Sequence, residues 1–213
     1  ASTVQFTTKY ITWDGAASLT PDDFTSANAA TDGMPTNAGK YAIYVQLVGY
    51  TGENGARNLG YAIKYHEIAK CPVEITWVKT TFTYDGTAQK PEYTSSALCG
   101  SDKLALTITQ GDTEVTEAKN AGTYTATLSA SANYALSNNA TEFTITKKNV
   151  TINWGGIPDG GFTYNGQAQI PTATATGLLN GDTLSVSGAQ TDAGTYTATE
   201  TASANYKITI STQ

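Results

Sequence analysis

The sequence predicts an all-β protein built from three tandem copies of one small domain. Several short segments recur in the same order along the chain. Apolar and polar residues alternate with the two-residue period of half-buried strands. Asp-Gly and Asn-Gly dipeptides, which favour tight turns, separate the alternating runs. We therefore expect six or seven short strands in each copy, with each copy closing its own interior.

The repeat is clearest in the second and third copies. Residues 82–91 read FTYDGTAQKP, and residues 162–171 read FTYNGQAQIP, 80 positions later. Residues 120–127 (NAGTYTAT) likewise match DAGTYTAT from residue 192, and SANY at 131–134 recurs at 203–206. A diverged first copy has WDG from residue 13 and NAGKY from residue 37. We call the Asn/Asp-Ala-Gly segment the signature loop and the Ser-Ala-Asn-Tyr segment the SANY turn.

These matches divide the chain into copy 1 (residues 1–70), copy 2 (71–148) and copy 3 (149–213). Copy 3 has only seven residues after Tyr206, so residues 207–210 either serve as a shortened final strand or the array continues. Alternation predicts that apolar side chains share a core-facing side in each opening strand and in the strand after each signature loop. These sets are Val4 and Phe6; Val73, Ile75 and Trp77; Val150, Ile152 and Trp154; Tyr41, Ile43 and Val45; and Tyr124, Ala126 and Leu128.

The signature loop predicts a tyrosine corner, in which a tyrosine hydroxyl bonds the backbone a few residues upstream. The residues of this structural signature are Gly39, Gly122 and Gly194 with Tyr41, Tyr124 and Tyr196. Together with the strand pattern, the signature favours small immunoglobulin-like two-sheet sandwiches. β-grasp-like repeats are the alternative, although no segment has the 3.6-residue periodicity of an amphipathic helix.

These motifs resemble the MBG and YDG repeats that occur in arrays in large bacterial surface proteins and adhesins. The resemblance is good over residues 73–213 and weaker over copy 1, which lacks the Gln and Pro of the first motif. It implies an extracellular location, at the cell surface, in the cell wall or secreted, and tandem immunoglobulin-like architecture. It supplies no catalytic residues. Because residues 143–152 run from copy 2 into copy 3 without Gly or Pro, the array is expected to form a semi-rigid rod.

Charge and composition exclude several function classes. The net charge of −6 and the lack of a basic cluster argue against nucleic-acid binding. No apolar run reaches the 18 residues of a membrane span, so we expect no membrane insertion in this segment. The single histidine, His66, and a lack of dense ligand motifs predict no catalysis, cofactor or metal site. Asp22, Asp23, Asp102 and Asp182 are expected to cap turns and not to bind calcium.

Five residues are candidates for specific roles. Cys71 and Cys99 either form a disulfide in an oxidising compartment or remain two free thiols. Trp13, Tyr50 and Tyr61 are candidates for ligand contact through an exposed aromatic ring, whereas Trp77 and Trp154 are expected to pack in cores.

Two hypotheses about function follow. The first is a non-catalytic spacer or stalk, whose partners are the neighbouring repeats of the same chain. The second is an adhesion module that binds a host glycan or protein, mainly through the loops of copy 1. An accessory domain beside a catalytic one is a third hypothesis.

Overall fold

The computed structural model describes residues 3–25, 28–51 and 60–210 and confirms the all-β class. Within these residues the only helical element is a three-residue 3-10 turn at Pro21–Asp23. Among them, no helix has the length and apolar character needed to span a bilayer. The strands of the described residues are β1 (Thr3–Thr12), β2 (Gly39–Thr51), β3 (Tyr61–Ile68), β4 (Cys71–Lys79), β5 (Thr81–Thr83), β6 (Glu92–Ser95), β7 (Ala105–Gln110), β8 (Thr113–Glu114), β9 (Gly122–Ser129), β10 (Tyr134–Ser137), β11 (Ala140–Thr146), β12 (Lys148–Gly155), β13 (Thr172–Thr176), β14 (Ser185–Ser187), β15 (Thr199–Thr201) and β16 (Tyr206–Ile210).

The chain divides into two compact units, which are described separately. Unit 1 consists of Ala1–Glu74, Ser96–Leu104 and Ser129–Ser137. Unit 2 consists of Ile75–Ser95, Ala105–Leu128 and Asn138–Gln213. The division passes through β4, inside the segment that the repeat pattern assigns to copy 2.

Unit 1 contains an antiparallel sheet with the order β1-β2-β3. Its buried cluster consists of Ile11, Phe24, Ala42 and Tyr44. The predicted core face of copy 1 is therefore wrong in two places. Phe6 is exposed, and in β2 the cluster contains Ala42 and Tyr44, which alternate with the predicted Ile43 and Val45. Among its described residues copy 1 has three long strands, not six or seven short ones, because β2 pairs along most of its 13 residues.

Unit 2 contains a five-stranded sheet with the order β5-β11-β9-β7-β8. The alternation predicted for copies 2 and 3 is confirmed in β9, β4 and β12. Tyr124, Ala126 and Leu128 are buried along β9, as are Ile75 in β4 and Val150 and Ile152 in β12. Val73, the other buried residue of β4, belongs to unit 1. Trp77 and Trp154 are half-buried and pack against the main cluster of the unit. The β-branched residues of these strands suit such a pleated, half-buried surface.

The core of unit 2 is continuous across the predicted boundary at residues 148 and 149. One cluster of buried residues contains Tyr124 and Phe143 from copy 2 together with Val150, Ile152 and Tyr206 from copy 3. The expectation that each copy closes its own interior is therefore wrong here. The reason is the absence of a spacer: a single residue, Lys147, separates β11 from β12, so the opening strand begins against the previous copy.

Copy 3 forms a sheet with the order β13-β12-β16 and a separate pair, β14-β15. β16 runs parallel to β12, as β10 runs parallel to β4. Residues 207–210 therefore occupy the place of β10, beside the opening strand, and not the place of the closing strand β11. The strand after the third signature loop begins only at Thr199, whereas its counterpart β9 begins at Gly122.

Candidate functional site: the joints between copies

The signature loop of copy 1 contacts the SANY turn of copy 2. The backbone N–H of Ala38 donates to Oδ1 of Asn133 across 2.7 Å. The Nδ2 of the same asparagine donates to Oδ1 of Asn37 across 3.0 Å. All three residues lie in unit 1. One side-chain amide thus makes two hydrogen bonds to the preceding copy.

The same arrangement recurs between copies 2 and 3, within unit 2. The N–H of Ala121 donates to Oδ1 of Asn205 across 2.8 Å, and Nδ2 of Asn205 donates to Oδ1 of Asn120 across 3.0 Å. We call this pair of hydrogen bonds the clasp. Its recurrence with the same atoms shows that the signature loop and the SANY turn, both repeated in the sequence, meet at the joint between copies 1 and 2 and at the joint between copies 2 and 3.

The clasp asparagine also fixes the opening strand of its own copy. The carbonyl oxygen of Asn133 accepts from the N–H of Cys71 across 2.8 Å, and that of Asn205 accepts from the N–H of Lys148 across 3.0 Å. A carboxamide carries both a donor and an acceptor, so asparagine can satisfy both partners in the preceding copy. The backbone and side chain of one residue therefore tie two copies together.

The tyrosine of each SANY turn holds a loop of its own copy. The hydroxyl of Tyr134 accepts from the N–H of Cys99 across 2.9 Å and donates to Asp102 across 2.7 Å. The bond to the Asp102 carboxylate, aided by desolvation, raises the pKa of Tyr134 to about 12, because a phenolate has no proton to donate to that carboxylate. The two aspartates predicted to cap turns, Asp102 and Asp182, serve here as hydrogen-bond acceptors.

The same two hydrogen bonds recur in copy 3, and we call this arrangement the tyrosine bracket. The hydroxyl of Tyr206 accepts from the N–H of Leu179 across 3.0 Å and donates to the carboxylate of Asp182. Burial, followed by the bond to Asp182, raises the pKa of Tyr206 above its ordinary value.

The predicted tyrosine corner is present in copies 1 and 2. The hydroxyl of Tyr41 donates to the carbonyl of Asn37 across 2.9 Å, and that of Tyr124 donates to the carbonyl of Asn120 across 2.8 Å. The ring passes so close to the signature glycine that a Cβ on Gly39 would lie 3.2 Å from the Tyr41 hydroxyl oxygen. A side chain at Gly39 would therefore crowd the ring of Tyr41, which would have to shift to accommodate it.

The third signature differs from the first two in its exposure. In copy 3, Tyr196 is 48% exposed, whereas Tyr124 is 3% exposed. A Cβ on Gly194 would lie 2.8 Å from the ring of Tyr196, so the glycine and tyrosine remain close together even here. In copy 2 the ring of Phe143 stacks on Tyr124, with the ring centroids 5.3 Å apart. Phe143 lies in β11, the closing strand that has no counterpart among residues 149–210.

The other polar candidates have structural partners or lie apart. The ring of His66 stacks on that of Tyr41, with the ring centroids 5.6 Å apart. The carboxylate of Asp23 accepts from the N–H of Thr20, and this bond lowers its pKa. Among residues 3–25, 28–51 and 60–210, no group of three or more His, Cys, Asp or Glu side chains is arranged to hold a metal ion.

Cys71 and Cys99 are unbonded in the structure, both lie in unit 1, and their side chains interact. Cys71 is half-buried and Cys99 is exposed. Burial, together with the neighbouring Cys99 thiol, raises the pKa of Cys71. The hypothesis of a disulfide between them stays a prediction.

The three candidate ligand-contact residues are all in copy 1 and have different surroundings. Trp13 is half-buried, bonds the carbonyl of Ala17 through Nε1, and lies against Tyr65 with ring centroids 4.2 Å apart. Tyr61 is exposed at the start of β3. Tyr50 lies near the end of β2, and its side chain is outside the described part of the structure.

Sequence reasoning missed the clasp asparagines. The SANY turn was visible as a repeated segment, but no local pattern connects Asn133 with Ala38, 95 positions away. The signal that could have found them is the co-occurrence of the signature loop and the SANY turn in successive copies.

Comparison with known proteins agrees with this repeat. Residues 72–154 match the family model of the MBG domain. The matched segment contains β5–β11 and most of β4 and β12, so it includes the signature loop and the SANY turn of copy 2. No curated protein and no solved structure matches the chain. Residues 72–154 are therefore similar to the MBG domain, a family of bacterial surface repeats.

Proposed function

We propose that this chain is a non-catalytic spacer of an extracellular bacterial surface protein, formed by tandem immunoglobulin-like sandwich domains in a semi-rigid rod. The observation that supports the proposal is the clasp, which joins successive copies twice with the same atoms. Repeated domains that contact their neighbours are suited to holding a partner domain at a distance.

The connections between copies also support a stiff spacer. Two residues, Ala69 and Lys70, separate β3 from β4, and Lys147 alone separates β11 from β12. Such connections leave little slack, whereas a flexible linker behaves as a random coil. Because each clasp adds two side-chain hydrogen bonds to a short covalent connection, bending at a joint has to break those bonds.

The proposal is tested by removing the clasp from the full chain. We expect N133A and N205A to speed hydrogen exchange at the amides of Ala38 and Ala121, respectively, and to broaden the distance distribution in small-angle scattering. The exposed Asn180 provides the matched control, N180A, which should change neither measurement. Asn120→Asp should keep the clasp, since a carboxylate oxygen can still accept from Asn205. An unchanged distribution in both clasp variants would argue against a spacer whose stiffness depends on these joints.

A second function, adhesion through copy 1, is supported by exposed aromatic side chains. Tyr61 and Tyr65 are exposed on β3, and Trp13 lies against Tyr65 beside a hollow of about 460 Å³. Aromatic rings present an apolar face with a polar edge, which suits contact with a sugar ring or a protein side chain. A glycan array tests this proposal. Binding that is lost in Y61A and kept in Y61F would favour adhesion, and an array without a specific hit would favour the spacer alone.

A further inference from the structure

One aromatic position has opposite environments in copies 2 and 3. Tyr84 is 7% exposed, and its counterpart Tyr164 is 63% exposed. Tyr84 is covered by the next copy: its ring meets the ring of Tyr206 edge-on, with centroids 5.5 Å apart, and its hydroxyl lies 3.4 Å from Asp182. Tyr206 and Asp182, which make these contacts, form the tyrosine bracket of copy 3. Tyr164 is the equivalent surface without such a cover.

The neighbouring turn shows the same difference. A Cβ on Gly86 would lie 3.1 Å from the side chain of Leu179, so the turn of copy 2 is in close contact with copy 3. A Cβ on Gly166, the counterpart of Gly86, would meet nothing within 4 Å. The turn of copy 3 thus faces open space where the turn of copy 2 faces a following repeat.

The third signature loop carries the same kinds of hydrogen-bonding group that the first two loops contribute to a clasp. Asp192 supplies a carboxylate oxygen at the position of Asn37 and Asn120, and Ala193 supplies the backbone N–H of Ala38 and Ala121. The chain bends at these residues as it does at the other signature loops. Asp192, Ala193, Tyr164 and Phe162 line one hollow of about 360 Å³. A carboxylate accepts from an asparagine amide at least as well as a carboxamide oxygen does.

We propose that Tyr164, Gly166, Asp192 and Ala193 form a docking site for the SANY turn of a further MBG-type repeat. The asparagine of the incoming turn accepts from Ala193 and donates to Asp192, and its tyrosine packs edge-on against Tyr164. The occupant is identified by continuity with the joints already present, since the same surface of copy 2 is covered by a SANY turn.

The occupant must bring its own free SANY turn. Both SANY turns of this chain, at Asn133 and Asn205, are already bound to signature loops of the same chain. A second folded molecule of this chain therefore offers no free turn from copies 2 and 3. The docking site consequently selects an additional repeat and does not predict self-association of the chain.

This inference rests on the spacer function proposed above, and an extended chain tests the two separately. Tyr206 lies 72 positions after its counterpart Tyr134, and by the same offset Gln213 corresponds to Thr141. A chain of residues 1–213 followed directly by a second segment 142–213 therefore continues in register. It supplies a closing strand for copy 3 and an added SANY turn. Hydrogen exchange at Ala193 and chemical nitration of Tyr164, both measured by mass spectrometry, report on docking.

We expect the amide of Ala193 to exchange about tenfold more slowly in the extended chain than in the 213-residue chain, as closure by hydrogen bonds predicts. Nitration of Tyr164 should fall in parallel. Replacing the asparagine of the added SANY turn alone, as Asn205→Ala in the added segment, should restore fast exchange at Ala193. The amides of Ala38 and Ala121 should stay protected in every chain.

Fast exchange at Ala193 and full nitration of Tyr164 in the extended chain would overturn the docking site. This outcome counts whether or not the added segment folds by itself, because we expect docking to stabilise the folded segment. Slow exchange that persists in the added-turn variant would overturn the assignment to the asparagine. Protection at Ala38 and Ala121 alongside either result would leave the spacer proposal standing. Loss of protection at Ala38 and Ala121 in the unextended chain would instead contradict the spacer.

Discussion

The hydroxyl of Tyr134 lies 2.7 Å from Oδ2 of Asp102 and donates a hydrogen bond to it. Tyr206 makes the same bond to Asp182 in the next copy. Each tyrosine follows directly after a clasp asparagine, Asn133 or Asn205. The asparagine that bonds the preceding copy is therefore followed by a tyrosine that is anchored within the asparagine's own copy.

The Tyr134 bracket predicts a stability difference that depends on pH. The pKa of Tyr134 is about 12 in the folded chain and has an ordinary value of 10.0. A raised pKa means that its stabilising contribution is complete below pH 10.0 and is lost as pH rises towards 12. We expect Y134F to be less stable than the native sequence below pH 10.0, with the difference shrinking above it. Urea unfolding over this range measures it; a constant difference would contradict the assigned bond.

The tyrosine corner predicts different effects of one substitution in two copies. Y124F removes the bond to the Asn120 carbonyl in a buried site and should lower the free energy of unfolding by about 1–3 kcal/mol. The matched control is Y196F, which should have almost no effect because Tyr196 is 48% exposed. Chemical denaturation compares the two variants. Equal losses would show that the copy 3 corner is also formed.

The continuous core of unit 2 predicts that a cavity in copy 2 affects copy 3. Phe143 is fully buried and contacts the rings of Phe82 and Tyr124. F143A should lower the free energy of unfolding by about 3–5 kcal/mol, whereas F6A should cost little because Phe6 is exposed. Hydrogen exchange should also become faster at Val150 and Ile152 in F143A. Unchanged exchange there would indicate two independent cores.

The cysteine pair predicts unequal reactivity. The raised pKa of Cys71 keeps its thiol protonated, and only the thiolate reacts with an alkylating agent. At about pH 8 we expect iodoacetamide to modify Cys99 faster than Cys71, with the ratio falling as pH increases. In C99S, Cys71 should react faster than in the native chain, because one cause of its raised pKa is removed. Peptide mass spectrometry measures both rates; no response to C99S would contradict the coupling.

Local sequence pattern predicted the buried side chains of the opening strands of copies 2 and 3. Val73, Ile75, Val150 and Ile152 are β-branched residues at alternate positions, and all four are buried. The same rule failed in copy 1. Phe6 fits the pattern but is exposed, and Ala42 is buried although a small side chain gives little signal of burial.

The contacts at the joints could not be predicted from local sequence pattern. Asn133 and Asn37 are 96 positions apart, and nothing in the alternation around either residue indicates its partner. The exposure of Tyr164 was equally hidden, because Tyr84 has the same local motif and is buried by contacts from another copy. Repeats reveal which residues are equivalent, whereas the contacts of each copy depend on what lies beside it.

Small-angle scattering of the unmodified 213-residue chain tests the central proposal, a stiff array of clasped copies, most directly. The proposed rod of three copies in a row, with strands of about 8 residues at ~3.3 Å per residue plus their loops, would be an elongated particle with a maximum dimension on the order of 100 Å. A radius of gyration of about 17 Å, the value for a compact globule of this length, would contradict the spacer.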